Sequence, residues 1–366
     1  MRVIVTGGGT GGHIYPALAI ADKFKEMDQS TEILYVGNDE GIEKDIVPKT
    51  GYPMELVDAR WLDKSSPWQL IKTGARVTKG ILEANRVMRK FKPDVVIGTG
   101  GYVCFPVIVA GKRFGAKTFL HEQNAFPGLA NRTLEKYVNK VFLGFSDAAK
   151  YFKDESKMIE AGNPVRKSFF HLEKSQARAK LGFPEDDFVV FSFGGSLGAE
   201  KINEVAFELM QVVNGHEKMR MVFGTGKWYY DSILQKAGAK EISLKENIII
   251  KDYIDDMENY LAASDLIISR AGALSVAEMT VCGRACILIP SPNVTGNHQY
   301  YNAKAVADRG GAILIEEKDL TAEGLIKEVM RLKNNPEIAV KMGRAAKACA
   351  PMKALDIIYD EVMKTM

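Results

Sequence analysis

A β-branched run that ends in a glycine turn and opens a helix recurs along this chain, and that recurrence limits the fold more than any other feature. Arg2-Val3-Ile4-Val5-Thr6 runs into Gly7-Gly8-Gly9-Thr10-Gly11-Gly12-His13, with a helical pattern starting near Pro16, a residue tolerated in a helix's first turn. Asp94-Val95-Val96-Ile97 leads into Gly98-Thr99-Gly100-Gly101-Tyr102, and Phe188 to Phe193 leads into Gly194-Gly195-Ser196-Leu197-Gly198. Without Cβ atoms, such a turn lets backbone N–H groups approach an anion at the positive end of the following helix. A merely tight turn selects glycine too, and Gly7-x-Gly9-x-x-Gly12 also fits the dinucleotide fingerprint of dehydrogenases.

Between these turns, strand and helix text alternate. Thr31 to Val36, Met54 to Val57, Lys117 to His121 and Lys140 to Leu143 read as further strands in the first half. Met219 to Phe223, Asn247 to Ile250, Leu266 to Ser269 and Ala285 to Ile289 do so in the second. Such alternation predicts an α/β chain with parallel sheets, and 366 residues are enough for two domains. Gly162-Asn163-Pro164-Val165-Arg166 is a turn-rich junction. The expected division is therefore 1–162, an N-terminal Rossmann-like domain, and 163–345, a second one. A C-terminal helical stretch, 346–366, broken near Pro351, is expected to cross back onto the first.

Hydrophobic residues at 46% and charged residues at 26% describe a globular chain, and a net charge of +3 is too small to imply a nucleic-acid partner. The uncharged run Val95 to Gly111 is interrupted by Gly98, Gly100, Gly101 and Pro106, and is too short to span a membrane. No signal peptide precedes the first strand, so a cytoplasmic location is expected. Cys104, Cys282, Cys286 and Cys349 lack metal-ligand spacing and read as buried thiols. Residues 64 to 92 differ from the rest, with eight cations against one anion, Glu83. At helical spacing they form two apolar stripes, Leu70/Val77/Ile81/Met88 and Trp68/Ile71/Ala75/Leu82. One stripe faces the core; the other is free for a membrane surface, unless both are core and the cations form a solvated face.

Ser264 to Asn302 carries the most chemical information. Arg270-Ala271-Gly272-Ala273-Leu274-Ser275 opens a helix at a strand's end, which suits a diphosphate, and Glu278 lies about a turn deeper. There a carboxylate can accept both hydroxyls of a ribose, or can simply be an acidic residue favoured by the helix dipole.

Taken together, the Gly7 to His13 turn, Gly98-Thr99-Gly100-Gly101-Tyr102, His121-Glu122-Gln123-Asn124, Gly162 to Arg166, Gly194-Gly195-Ser196, Ser269 to Ala273 and His298-Gln299 resemble the MurG family across nearly the whole chain. Those enzymes are the UDP-N-acetylglucosamine:N-acetylmuramyl-(pentapeptide) pyrophosphoryl-undecaprenol N-acetylglucosamine transferases of peptidoglycan synthesis. The resemblance implies a GT-B architecture, two Rossmann-like doubly wound domains facing across a cleft. UDP-N-acetylglucosamine would bind the second domain and lipid I, the lipid-linked acceptor, the first. It assigns nucleotide contacts to Arg166, Ser196, Ile254, Ala273, Leu274, Ser275, Val276, Ala277, Glu278 and Gln299. Thr10, Gly11, Gly12 and Asn124 fall near the transferred sugar or the acceptor. His298 stands where many relatives carry a second glutamine.

No Asp-x-Asp motif occurs in the chain, so no metal or other cofactor is expected, and helix dipoles with Arg166 are left to offset the leaving diphosphate. A metal-free inverting displacement needs a general base, for which His13 is the candidate, with helix capping or a phosphate contact as its alternative role. Trp68, Ile71, Lys72, Ala75, Lys79 and Leu82 are the expected contacts to anionic lipid, holding the protein peripherally on the cytoplasmic face of the bacterial cell membrane. A nicotinamide dehydrogenase, a diacylglycerol glycosyltransferase, a UDP-N-acetylglucosamine 2-epimerase and, for residues 64 to 92 alone, a non-enzymatic membrane-binding protein are the rival readings. Oligomeric state is not legible.

Overall fold

The structure, a computed structural model, describes residues 1–59, 67–170 and 172–366, with backbone alone for residues 67–75 and Thr295. Its strands are β1 Arg2–Thr6, β2 Glu32–Asn38, β3 Met54–Val57, β4 Val95–Gly98, β5 Lys117–Glu122, β6 Lys140–Leu143, β7 Met158–Glu160, β8 Phe188–Phe193, β9 Met219–Gly224, β10 Ile248–Lys251, β11 Leu266–Ser269, β12 Ala285–Leu288 and β13 Ala312–Leu314. Its helices are α1 Gly11–Met27, α2 Glu43–Ile46, α3 Pro67–Phe91, α4 Cys104–Arg113, α5 Leu129–Leu134, α6 Lys174–Leu181, α7 Glu200–Asn214, α8 Tyr230–Ala239, α9 Met257–Ala263, α10 Ala273–Cys282, α11 His298–Ala307, α12 Ala322–Asn334, α13 Pro336–Ala348 and α14 Ala354–Thr365.

The chain divides into two compact units, Met1–Val165 with Lys353–Met366, and Arg166–Met352. The first contains a seven-stranded sheet in the order β3-β2-β1-β4-β5-β6-β7, the second a six-stranded sheet in the order β10-β9-β8-β11-β12-β13, and every pairing is parallel. Both are doubly wound. Strand order reverses between β1 and β4 in one and between β8 and β11 in the other, and such reversals open a crevice at the strands' carboxyl ends. Thr6 pairs with Gly98 and Phe193 with Ser269, so in each unit the two turns at the reversal leave the sheet at one level.

Period-two alternation decides what each strand buries. In β1, Val3 and Val5 join a core with α1, whereas Ile4 faces the core under α3 and α4. Helix α14 lies on the α1 side, where Ile358 and Val362 are buried and Tyr359 meets Phe24 edge-on at 5.1 Å. Lys23 pairs with Asp356 at 2.6 Å beside them. The return to the first unit comes at Lys353, not at residue 346. Helix α13 stays with the second because Ala339 and Met342 bury in its core.

One local expectation needs correction, and two strands escape the sequence pattern. The first helix begins at Gly11, five residues before Pro16, because the N–H groups of His13 and Ile14 both bond the Thr10 carbonyl and close a turn through residues of poor helix propensity. Pro16 thus lies inside α1, beyond its first turn. Strands β7 and β13 are three residues each and sit at sheet edges, too short for an alternating pattern to reveal them.

Candidate functional site

The turns after β1 and β4 are packed directly on one another. The Gly8 N–H bonds the Gly100 carbonyl at 3.2 Å, and a Cβ on Gly101, at φ +86°, would lie 2.4 Å from the Gly8 carbonyl oxygen. A Cβ on Gly100, at φ +114°, would lie 2.5 Å from His13 Nδ1. Glycine is demanded at Gly101 by the Gly8 backbone and at Gly100 by the His13 ring, close approach within the protein rather than a ligand. Beyond this packed part, Thr10 and Gly12 are exposed and Gly11 half-buried. Thr10 is the N-cap of α1 without a side-chain cap bond, and no acidic residue occupies the first turn. The Gly11 and Gly12 N–H groups thereby remain available for an anion.

Sequence reasoning missed what supports that turn. Glu43 is fully buried beneath it and accepts from the Gly9 N–H at 3.1 Å and the Asn38 N–H at 2.9 Å. Tyr35 donates its hydroxyl to the Gly7 carbonyl at 2.5 Å from the neighbouring strand. Nothing in the local pattern marks Glu43, whose role depends on contacts to residues brought in by the fold.

His13 sits half-buried where the two turns meet. Its Nδ1 lies 3.0 Å from the Thr99 carbonyl oxygen and 3.2 Å from Gln123 Oε1, and its Nε2 makes no hydrogen bond within the described residues. Burial pulls its pKa below the ordinary histidine value, so it is neutral near pH 7. Asn124 is turned toward its own loop. Glu122, buried, accepts from the Asn124 N–H, Asn124 Nδ2, the Gly128 N–H and Asn131 Nδ2 at 2.9 to 3.1 Å. Desolvation raises the pKa of Glu122 against the opposing pull of those donors. Asn124 is therefore held in place by the loop that Glu122 organises.

In the second unit the equivalent features surround the ends of β8 and β11. Ser196 is exposed in the Gly194 to Gly198 turn. Gly272 caps α10 with no side-chain bond and no acid follows in the first turn, which leaves the N–H groups of Ala273, Leu274 and Ser275 open at a positive helix end. Val276 and Ala277 are buried. Glu278 is half-buried, and desolvation lifts its pKa to about 7, helped by Glu258 and opposed by Arg166. Arg166 reaches toward Glu258 Oε2 at 3.8 Å and stacks its guanidinium over Phe169 at 5.1 Å. Ile254 is buried after β10, with neither its N–H nor its carbonyl engaged within the described residues. Gln299, in the first turn of α11, accepts the Ser291 N–H at 2.9 Å through Oε1, and its Nε2 makes no hydrogen bond within the described residues. Arg270 belongs to the framework, since it holds the Ile289 and Pro290 carbonyls and Glu317.

Among the described residues no group of three or more His, Cys, Asp and Glu side chains is arranged to hold a metal ion. No helix there is long and apolar enough to cross a membrane. Of the residues expected to touch lipid, the side chains of Trp68, Ile71, Lys72 and Ala75 lie outside the described residues. Leu82 is 57% exposed. Lys79 is exposed but committed, bonding Asp58 at 3.1 Å with Glu83 at 3.6 Å. Met88, Ala84 and Val87 form the buried face of α3.

Comparison with known proteins defines the class first. Residues 3–143 match the glycosyltransferase family 28 N-terminal domain, and residues 189–358 match the glycosyltransferase family 28 C-terminal domain. A UDP-N-acetylglucosamine–N-acetylmuramyl-(pentapeptide) pyrophosphoryl-undecaprenol N-acetylglucosamine transferase of Alkaliphilus oremlandii is 42% identical over 362 residues, covering 99% of this chain and 98% of that one. The crystal structure of Acinetobacter baumannii MurG matches 99% of both chains with a TM-score of 0.79 at 25% identity. A UDP-GlcNAc 2-epimerase of Neisseria meningitidis, solved with UDP-GlcNAc bound, shares the fold over 100% of both chains, with a TM-score of 0.71 at 16% identity. The chain belongs to the MurG family of N-acetylglucosamine transferases.

Proposed function

We propose that this chain transfers N-acetylglucosamine from UDP-N-acetylglucosamine to the muramyl sugar of undecaprenyl-pyrophosphoryl-MurNAc-pentapeptide, lipid I, giving lipid II. The observation that carries this reading is 42% identity to such a transferase over 99% of the chain, in a molecule that bears an open helix N-terminus in each unit.

The donor belongs to the second unit. Ser196 and the N–H groups of Ala273, Leu274 and Ser275 meet the diphosphate, the free backbone of Ile254 reads the uracil edge, and Glu278 accepts the ribose hydroxyls. Arg166 adds positive charge near the diphosphate, and Gln299 offers Nε2 to the sugar. The acceptor belongs to the first unit, with Thr10, Gly11, Gly12 and Asn124 near the reacting sugars. His13 takes the proton of the acceptor hydroxyl on Nε2 as that oxygen bonds to the anomeric carbon, while the bond from that carbon to the β-phosphate oxygen breaks and UDP leaves with the electron pair. The anomeric configuration inverts. Developing charge on UDP is met by the α10 N-terminus and Arg166, so the step runs without a metal.

The isoprenoid tail stays in the cytoplasmic membrane, and the exposed face of α3 with Leu82 and Arg86 brings the first unit to anionic lipid as a peripheral protein. Incubation with radiolabelled UDP-N-acetylglucosamine and a short-chain lipid I analogue, with and without EDTA, tests the reaction. Label in a disaccharide lipid in both cases is the expected result. Label left in a free 2-epimer, or product formed only when magnesium is restored, contradicts it.

A further inference from the structure

Beneath His13 lies a buried chain of polar groups that the transfer reaction does not otherwise use. Gln123 and His121 are 2% and 0% exposed. His121 Nε2 lies 2.9 Å from the Gly162 carbonyl oxygen, and Gln123 Nε2 lies 3.0 Å from His121 Nδ1 and 2.7 Å from the Thr99 carbonyl oxygen. A longer contact of 3.3 Å joins Gln123 Nε2 to the His121 carbonyl. Asn163 Nδ2 donates to the Gln123 carbonyl at 3.0 Å and holds the backbone of the loop.

Two carbonyl oxygens fix every proton in this chain. A carbonyl only accepts, so the Gly162 oxygen requires hydrogen on His121 Nε2, and neutral His121 then presents a lone pair at Nδ1. That lone pair requires a donor, which turns the Gln123 amide so that its nitrogen faces His121 and its oxygen faces His13. At the far end the Thr99 oxygen likewise requires hydrogen on His13 Nδ1, and Gln123 Oε1 accepts from the same N–H. Both ends give the same answer. Burial keeps His121 neutral by pulling its pKa to about 4, so the lone pair at its Nδ1 persists over the working pH range.

We infer that Gln123, its amide oriented by His121, is a positioning residue that locks His13 in the Nδ1–H tautomer and so aims the unprotonated Nε2 at the reaction. This rests on His13 acting as the base, and adds how a base without a carboxylate partner is oriented. In triads a carboxylate does this work and also stabilises the imidazolium. Here two neutral oxygens hold the ring, and the charge that raises its pKa, Glu43, acts less than either of them, so burial still keeps the pKa below the ordinary histidine value.

Nitrogen NMR of protein labelled with ¹⁵N-histidine reads the tautomers directly, with five histidines to assign. Wild type is expected to show Nδ1–H at His13 and Nε2–H at His121. Gln123→Leu removes one of the two oxygens on Nδ1–H and leaves the Thr99 carbonyl alone, so the Nε2–H form of His13 gains population, and the turnover number falls about tenfold or more with UDP affinity unchanged. Gln123→Glu keeps the volume and places a charge on Nδ1–H, so the pKa of His13, titrated in the same spectra, rises above wild type. An Nε2–H signal from His13 in wild type overturns the inference, as does a His13 tautomer indifferent to Gln123→Leu or a His13 pKa indifferent to Gln123→Glu. Normal turnover in His13→Ala instead removes the base role, and the spectra still decide the role of Gln123.

Discussion

Glu278 shows how a single side chain can be costly to the fold and useful to the site. Burial beside Glu258 lifts its pKa to about 7, so between the ordinary carboxylate range and pH 7 the folded protein holds a proton that the unfolded chain has released. The stability linked to that proton is present below the ordinary value and is lost as pH rises through about 7. Ribose hydroxyls need the ionised form to accept both hydrogens. UDP should therefore bind more tightly at pH 8 than at pH 6, while Glu278→Gln removes that pH dependence and raises the melting temperature more at pH 8 than at pH 6. Glu278→Ala should cost about 1–3 kcal/mol of UDP binding at pH 8. Calorimetry across this range checks it; a wild-type affinity flat from pH 6 to 8, or full affinity in Glu278→Ala, places the ribose elsewhere.

At the scale of elements, legibility followed periodicity. The buried strands β1, β8 and β11 are continuous apolar runs of ordinary length, and their bounds follow from the sequence. The start of α1 did not, because five glycines hide a helical turn whose evidence is two N–H groups on the Thr10 carbonyl. The first glycine turn combines two devices: Gly7 is small because of Thr99 in the neighbouring turn and Gly8 because of the Glu43 carboxylate, while Gly9, Gly11 and Gly12 are the open part. Glu43 was invisible because its partners lie in other elements. In α3 the composition identified a basic amphipathic helix but could not assign each cation. Lys79 is spent on Asp58, whereas Leu82 and Arg86 point to solvent. Combining Leu82→Asp with Arg86→Glu should weaken co-sedimentation with anionic vesicles and leave UDP affinity at the wild-type level. Vesicle binding unchanged by that pair would move the lipid contact away from this face.

Across the whole molecule, one plan is used twice. Each unit sets two turns at the reversal point of a parallel sheet and opens a helix there, α1 or α10, with no side-chain cap bond and no acidic residue in its first turn. Close backbone packing joins the two reversal turns in the first unit, whereas in the second the Gly198 turn packs on Thr225 and Gly226 after β9. Different side chains then give the units different work. Under the proposed transfer, the second uses Glu278, Arg166 and Gln299 for the sugar nucleotide, and the first uses His13 and a buried polar chain for proton transfer. That division is the central claim, and His13→Ala tests it most directly when turnover and UDP affinity are measured on the same preparation. The account predicts a turnover number lower by about 10²-fold or more, with the calorimetric dissociation constant for UDP unchanged. Turnover at the wild-type level, or a loss of UDP affinity that matches the loss of rate, would contradict it.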